Sequence, residues 1–182
     1  NDISNKIIRM KKSSTHGSPQ YVYVFDPKTD LLPTQPKVKR ENICIRKYRA
    51  PLRSLNNAYW HIGSLGRYFK WSIYDKTTKK ELTYDHTSYG LPHFQFIQRL
   101  GGGYVVGPSA TLPSERGQGL HSYILWSIVS FLSRRKKKIF VWVAMDNIAS
   151  IKGIEKVGFR RVGYLIKIGH LYKLCDEHGT LL

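Results

Sequence analysis

Residues 104–121 read Tyr-Val-Val-Gly-Pro-Ser-Ala-Thr-Leu-Pro-Ser-Glu-Arg-Gly-Gln-Gly-Leu-His, passing from strand chemistry through a polar loop into a helix start. The residues from Tyr104 to Leu112 favour extended backbone and are interrupted by Gly107-Pro108. A proline inside a strand marks an edge or a bulge, so the strand is expected to bend or splay there. After the loop, Leu120, Ile124, Ile128 and Phe131, flanked by Leu125 and Leu132, have the spacing of an amphipathic helix ending near Arg135. The run 139–144 is short, apolar and rich in β-branched and aromatic residues, which favours a buried strand. Residues 150–157 predict a short helix stopped by Gly158, and the chain is expected to return as a strand over 161–174. Strand, Gly-rich loop, helix, strand, helix, strand implies a mixed α/β fold around a parallel, right-handed crossover.

The loop Arg116-Gly117-Gln118-Gly119 lies where unpaired N–H groups and the positive end of a helix dipole converge, a geometry that binds phosphate. Glycines at 117 and 119 let an anion approach the backbone, and Arg116 adds a fixed charge. Two common phosphate loops do not fit. A dinucleotide fingerprint needs a small residue where Ser122 stands and an acid near 136–140, which reads Lys-Lys-Lys-Ile-Phe; a Walker loop needs Gly-Lys-Ser/Thr, and Gly119 is followed by Leu120-His121.

Arg116-Gly-Gln-Gly119-Leu-His121 resembles the pyrophosphate motif Q/R-x-x-G-x-G/A of the GNAT (Gcn5-related N-acetyltransferase) superfamily. Residues 104–112 are similar to the bulged strand before that motif, and Asn147-Ile-Ala-Ser150 with Glu155-Lys-Val-Gly-Phe159 to its later element. The resemblance runs from Tyr104 to about Gly169 and implies a splayed central sheet; the acetyltransferase domain is expected over 41–182, and residues 1–40, interrupted at Pro27, Pro33 and Pro36, are expected as an accessory N-terminal segment. The resemblance also implies acetyl-CoA as co-substrate and direct acetyl transfer to an amine, the acceptor being a small molecule, an amino sugar or a protein amine. Backbone groups of Ala110, Thr111 and Leu112 would pair with the pantetheine arm. Those of Gly117, Gln118, Gly119, Leu120 and His121, beside Arg116, would take the pyrophosphate, with Asn147 and Ser150 contacting the arm from the other side. Two departures stand out: His121 replaces a small residue, and Ile154 occupies the place of the family's usual tyrosine acid. Candidates for proton transfer are His93, Asp146 and Ser150, with Tyr123 as a substitute acid. A GNAT-like protein that binds coenzyme A without turnover is the reading the Ile154 departure keeps open.

Composition bounds the alternatives. Thirty Lys and Arg against 12 Asp and Glu give a net charge of +18, which implies an anionic partner: coenzyme A, an acidic surface or nucleic acid. A basic nucleic-acid-binding module is the rival reading, although the run 134–138 reads first as a solvated helix end. Seven histidines include no metal-ligand spacing, so no metal is expected. Cys44 and Cys175 suit a reducing cytoplasm, and the absence of a long apolar run or signal-like start predicts a soluble cytoplasmic protein. Upstream, 21–25, 43–48 and a hairpin of 68–74 with 80–84 are expected as strands, and 90–93 as a turn.

Overall fold

In the computed structural model, residues 19–50, 64, 67–90, 95–168 and 171–182 are described. The β-branched and aromatic segments form β1 (Gln20–Phe25), β2 (Ile43–Arg49), β3 (Phe69–Asp75), β4 (Glu81–Tyr89), β5 (Gly103–Thr111), β6 (Lys138–Ala144), β7 (Arg160–Ile168) and β8 (Leu171–Cys175). The helical segments are α1 (Gln95–Arg99), α2 (Leu120–Ser133) and α3 (Ile148–Lys156). The described strands make one sheet in the order β2-β3-β4-β5-β6-β1-β7-β8. The pair β5 and β6 is parallel and its neighbours are antiparallel, so α2 is the crossover between the two parallel strands.

Both faces of the sheet are covered. On one, the α2 stripe Leu120, Ile124, Leu125, Ile128, Val129 and Leu132 packs on Trp71, Ile73, Val106, Ile139 and Val141. Each such aliphatic side chain contributes about 1.5–3 kcal/mol when fully buried. On the other, Phe96 and Ile97 of α1 pack with Val105, Phe140, Leu165 and Leu174. β1 serves both sides, with Tyr23 and Phe25 in the first cluster and Val22 and Val24 in the second.

The segment expected to be accessory thus contributes a strand to the interior of the sheet. β1 pairs with β6 over Gln20–Phe25 and with β7 on its other edge. Its β-rich sequence shows that a strand forms, but the strands that flank its two edges lie far along the chain. The Tyr23 hydroxyl also donates to Glu155 Oε1 on α3 at 3.0 Å. A second difference concerns 161–174, which is a hairpin: the chain reverses between β7 and β8, with Ile168 opposite Leu171. The β-favouring residues before and after the reversal continue one pattern, and Gly169-His170 is the sequence signal between them. The expected 90–93 turn lies largely outside the described residues.

A chain beginning at residue 41 lacks β1 and leaves β6 and β7 with open edges. It is expected to lose cooperative thermal unfolding by circular dichroism, whereas a chain beginning at residue 19 keeps it.

Candidate functional site

β5 and β6 are hydrogen-bonded from Gly103 to Val106 and then part. Pro108 has no N–H to offer a neighbouring strand, and Gly107 adopts φ 126, a conformation few side chains tolerate. β5 continues against β4 alone through Ser109, Ala110 and Thr111, with a register shift opposite Asp85 and Thr87. Leu112 N–H donates to Leu82 O at 2.9 Å and Ala110 O accepts from Thr83 Oγ1 at 3.0 Å, so these two backbones turn towards β4. Successive residues of a strand face opposite edges, which leaves Thr111 with its N–H and C=O towards the split. Of the three residues expected to offer free backbone, Thr111 does so.

The split opens into a cavity of about 620 Å³ that reaches the start of α2. Gly119 is the N-cap of α2 at φ 82, no side chain caps the helix, and the first backbone bond is Tyr123 N–H to Gly119 O. The N–H groups of Leu120, His121 and Ser122 therefore precede the helical hydrogen-bond ladder, beside Arg116 and Gly117 in the cavity wall. A Cβ on Gly119 would stand 2.7 Å from Lys37 O, because residues 37–40 run directly behind the loop. Lys39 N–H donates to Gln118 O at 3.1 Å, and Gln118 itself is not part of the wall. Arg40 fixes the same loop by pairing with Glu115 and with Asp75, each at 2.6 Å. The guanidinium holds the Asp75 carboxyl well below the usual carboxylate range. It also neutralises both acids, of which Glu115 lines the cavity.

α3 forms the opposite wall. Gly153 allows close approach, since a Cβ there would lie 3.1 Å from Ser122 Oγ and 3.3 Å from His121 Nδ1. Asn147 Oδ1 accepts from Ser150 N–H at 3.2 Å, so Asn147 caps α3 while both residues line the cavity. Lys152 and Lys156, one helical turn apart, line it too and were missed in the sequence. Their i, i+4 spacing is the signal that places both on one face of α3. Burial holds the His121 imidazole below its ordinary pKa, favouring the neutral ring.

The proton-transfer candidates are not brought together. His93 lies outside the described residues, and Asp146 occupies an exposed turn away from the cavity wall. Ile154 is 1% exposed within the core, and Tyr123 packs against that same core. Two unforeseen groups flank the bulge instead. Asp85, opposite Ser109, is fully buried, and neither carboxyl oxygen has a hydrogen-bond partner. Burial pushes its pKa up to about 8. His86 follows it in sequence, with Nδ1 3.0 Å from Pro108 O.

Residues 97–165 match the family model described as FR47-like protein. Similar solved structures include an acetyltransferase from the GNAT family of Colwellia psychrerythraea, 15% identical with TM-score 0.54, the match covering 90% of this chain and 59% of that one. They also include a GCN5-related N-acetyltransferase from Sphaerobacter thermophilus, 10% identical with TM-score 0.59, covering 89% and 55% respectively. The chain has the GNAT fold. A Drosophila protein shares it at 14% identity and TM-score 0.56, covering 93% of this chain and 58% of its own. The chain thus spans 55%, 58% and 59% of the lengths of these three GNAT-like structures. No curated protein matches the sequence. Among the described residues of this GNAT fold, no three His, Cys, Asp or Glu side chains form a metal-type cluster. No helix among them is long and apolar enough to cross a membrane.

Asp85 sets a pH dependence of stability. Its folded pKa, about 8, lies above the unfolded value of 3.8, so between these values the folded state keeps a proton that the unfolded chain has released. Stability is therefore full below the unfolded value and falls as pH rises through the window. Asp85→Asn is expected to remove this slope and to be more stable than wild type at about pH 8, by about 1 kcal/mol or more. Urea midpoints at about pH 5 and pH 8 check it.

Proposed function

We propose that the chain is an acetyl-CoA-dependent N-acyltransferase that passes an acetyl group directly to an amine in a ternary complex. The observation that carries this reading is the continuity of one cavity from the uncapped α2 N-terminus to the unpaired edge of β5. The residues fit such a co-substrate. The N–H groups of Leu120, His121 and Ser122, with Gly117 beside them, cradle the pyrophosphate, and Arg116, Lys152 and Lys156 supply cations around it. Thr111 presents a strand edge along which the amide-bearing pantetheine arm pairs as an added strand. Bound acetyl-CoA supplies an acyl group activated as a thioester. An N–H from the same edge is placed to hold the carbonyl oxygen as negative charge develops on it, usually a large electrostatic contribution. Asn147 and Ser150 close the arm from the α3 side. The acceptor is an amine, small or sugar-borne, and the cytoplasm is the compartment where this chemistry is expected.

Calorimetric titration of acetyl-CoA into wild type and into Arg116→Ala combined with Gly119→Val tests the reading. Saturable binding is expected in wild type and its loss in the double variant, where the Cβ at 119 also displaces residues 37–40 behind the loop; Arg116→Ala alone, with circular dichroism unchanged, is expected to weaken binding. Folded wild type that ignores acetyl-CoA but binds an oligonucleotide tightly would overturn it in favour of a nucleic-acid-binding module. Lys152→Glu with Lys156→Glu is expected to raise the acetyl-CoA Kd about tenfold or more, with a shallower dependence on salt, by the same titration at two ionic strengths.

A further inference from the structure

An acyl group held in the split, as proposed above, would lie beside the bulge of β5. We infer, on the strength of the acyl-transfer reading, that Nε2 of His86 takes the proton of the attacking amine.

The position follows from the register. Asp85 pairs with Ser109 and Thr87 with Val106, so His86 alone faces the two residues Gly107 and Pro108, at the place where β5 leaves β6. Its Nδ1 lies 3.0 Å from Pro108 O. A carbonyl oxygen has no proton to give, so Nδ1 carries the N–H and the lone pair of the neutral ring is on Nε2. The ring is stacked on Tyr68, with centroids 5.1 Å apart at 17°, and meets the edge of Tyr84 at 5.4 Å and 77°. Two aromatic neighbours and one hydrogen bond fix the imidazole without using Nε2.

The face is also the right one. Asp85 belongs with Trp71 and Thr83 on the side covered by α2, so the next residue along the strand points to the opposite side. Beyond Val106 no backbone bond closes the gap between β5 and β6. A thioester laid into the gap from the α2 side is therefore open to an amine approaching from the His86 side. Among the described residues, the charged and titratable groups around the ring are Tyr68, Tyr84, Lys70 of β3 and Glu81 of β4, the last two paired at 2.7 Å. Burial and the Lys70 charge disfavour the imidazolium, while the Pro108 carbonyl and Glu81 favour it. The balance lies below the ordinary histidine value, which leaves the ring neutral and basic at neutral pH.

The step balances. The amine nitrogen bonds to the acetyl carbon, the carbon–sulfur bond breaks with its electron pair on sulfur, and the amine proton passes to Nε2, from which solvent removes it. The coenzyme A thiolate leaves without an oxidant or a further co-reactant.

His86→Asn keeps a side-chain N–H for Pro108 O and removes the base. Wild type and variant are compared by acetyl-CoA calorimetry and by coenzyme A release with benzylamine as the probe acceptor, from about pH 5 to pH 9. The variant is expected to bind acetyl-CoA within about twofold of wild type. Its release should be about 10²–10⁴-fold slower. The wild-type rise in kcat/KM through a pKa below the usual histidine value of about 6.5 should be absent from the variant. Unchanged release, an acid limb that survives in the variant, or wild type that binds acetyl-CoA yet releases no coenzyme A would overturn the assignment of His86. Failure of folded wild type to bind acetyl-CoA would instead remove the acyl-transfer reading beneath it.

Discussion

Parallel hydrogen bonding between β5 and β6 runs for four register pairs, Gly103 to Val106, and stops. Backbone N–H and C=O groups left without a strand must find another partner, and in this fold the nearest one is whatever enters the gap. The gap is built by a proline without an N–H and a glycine at φ 126, so it is written into the backbone rather than held open by side chains. α2 follows at once, its first turn uncapped, and the two unsatisfied sets of donors fall along one cavity. A ligand with an anion at one end and amides along its length answers both.

The second organising feature is electrostatic. Asp75 and Glu115 would oppose an anion at the loop, but Arg40 engages both and also ties the loop to the β3–β4 hairpin. The cavity then presents Arg116 from the loop and Lys152 and Lys156 from α3. Part of the +18 charge is thereby directed to one place, while residues 134–137 remain exposed at the end of α2.

The elements from 104 to 158 were legible because their signals are local: a Gly-Pro break, a glycine loop before helical spacing, a short β-branched run, a glycine stop. The same signals singled out Arg116, Gly117 and Gly119, which line the cavity. Pairing is where local signals end. Tyr21-Val-Tyr-Val-Phe25 reads as a strand in any setting, and its place between β6 and β7 depends on residues far along the chain. Arg40 finds Asp75 and Glu115 only in three dimensions. The sequence pattern marks the second arm of the hairpin only over 80–84. The structure extends it to Tyr89, since alternation sends Asp85 and His86 to opposite faces, each with its own surroundings. The sequence points for acid–base groups to His93, Asp146 and Ser150, while two titratable groups stand at the bulge.

The interior place of β1 also bears on how the chain is made. Tyr23 and Glu155, joined by a hydrogen bond, are 132 positions apart. During synthesis β1 emerges long before either strand that will flank it, and it cannot bury both faces until β6, α3 and β7 have left the ribosome. Closure of so long a loop slows folding and exposes an aromatic, edge-competent strand in the meantime. For a chain built this way, a partner that shields Tyr21 to Phe25 during translation does more for yield than one that acts on the completed domain.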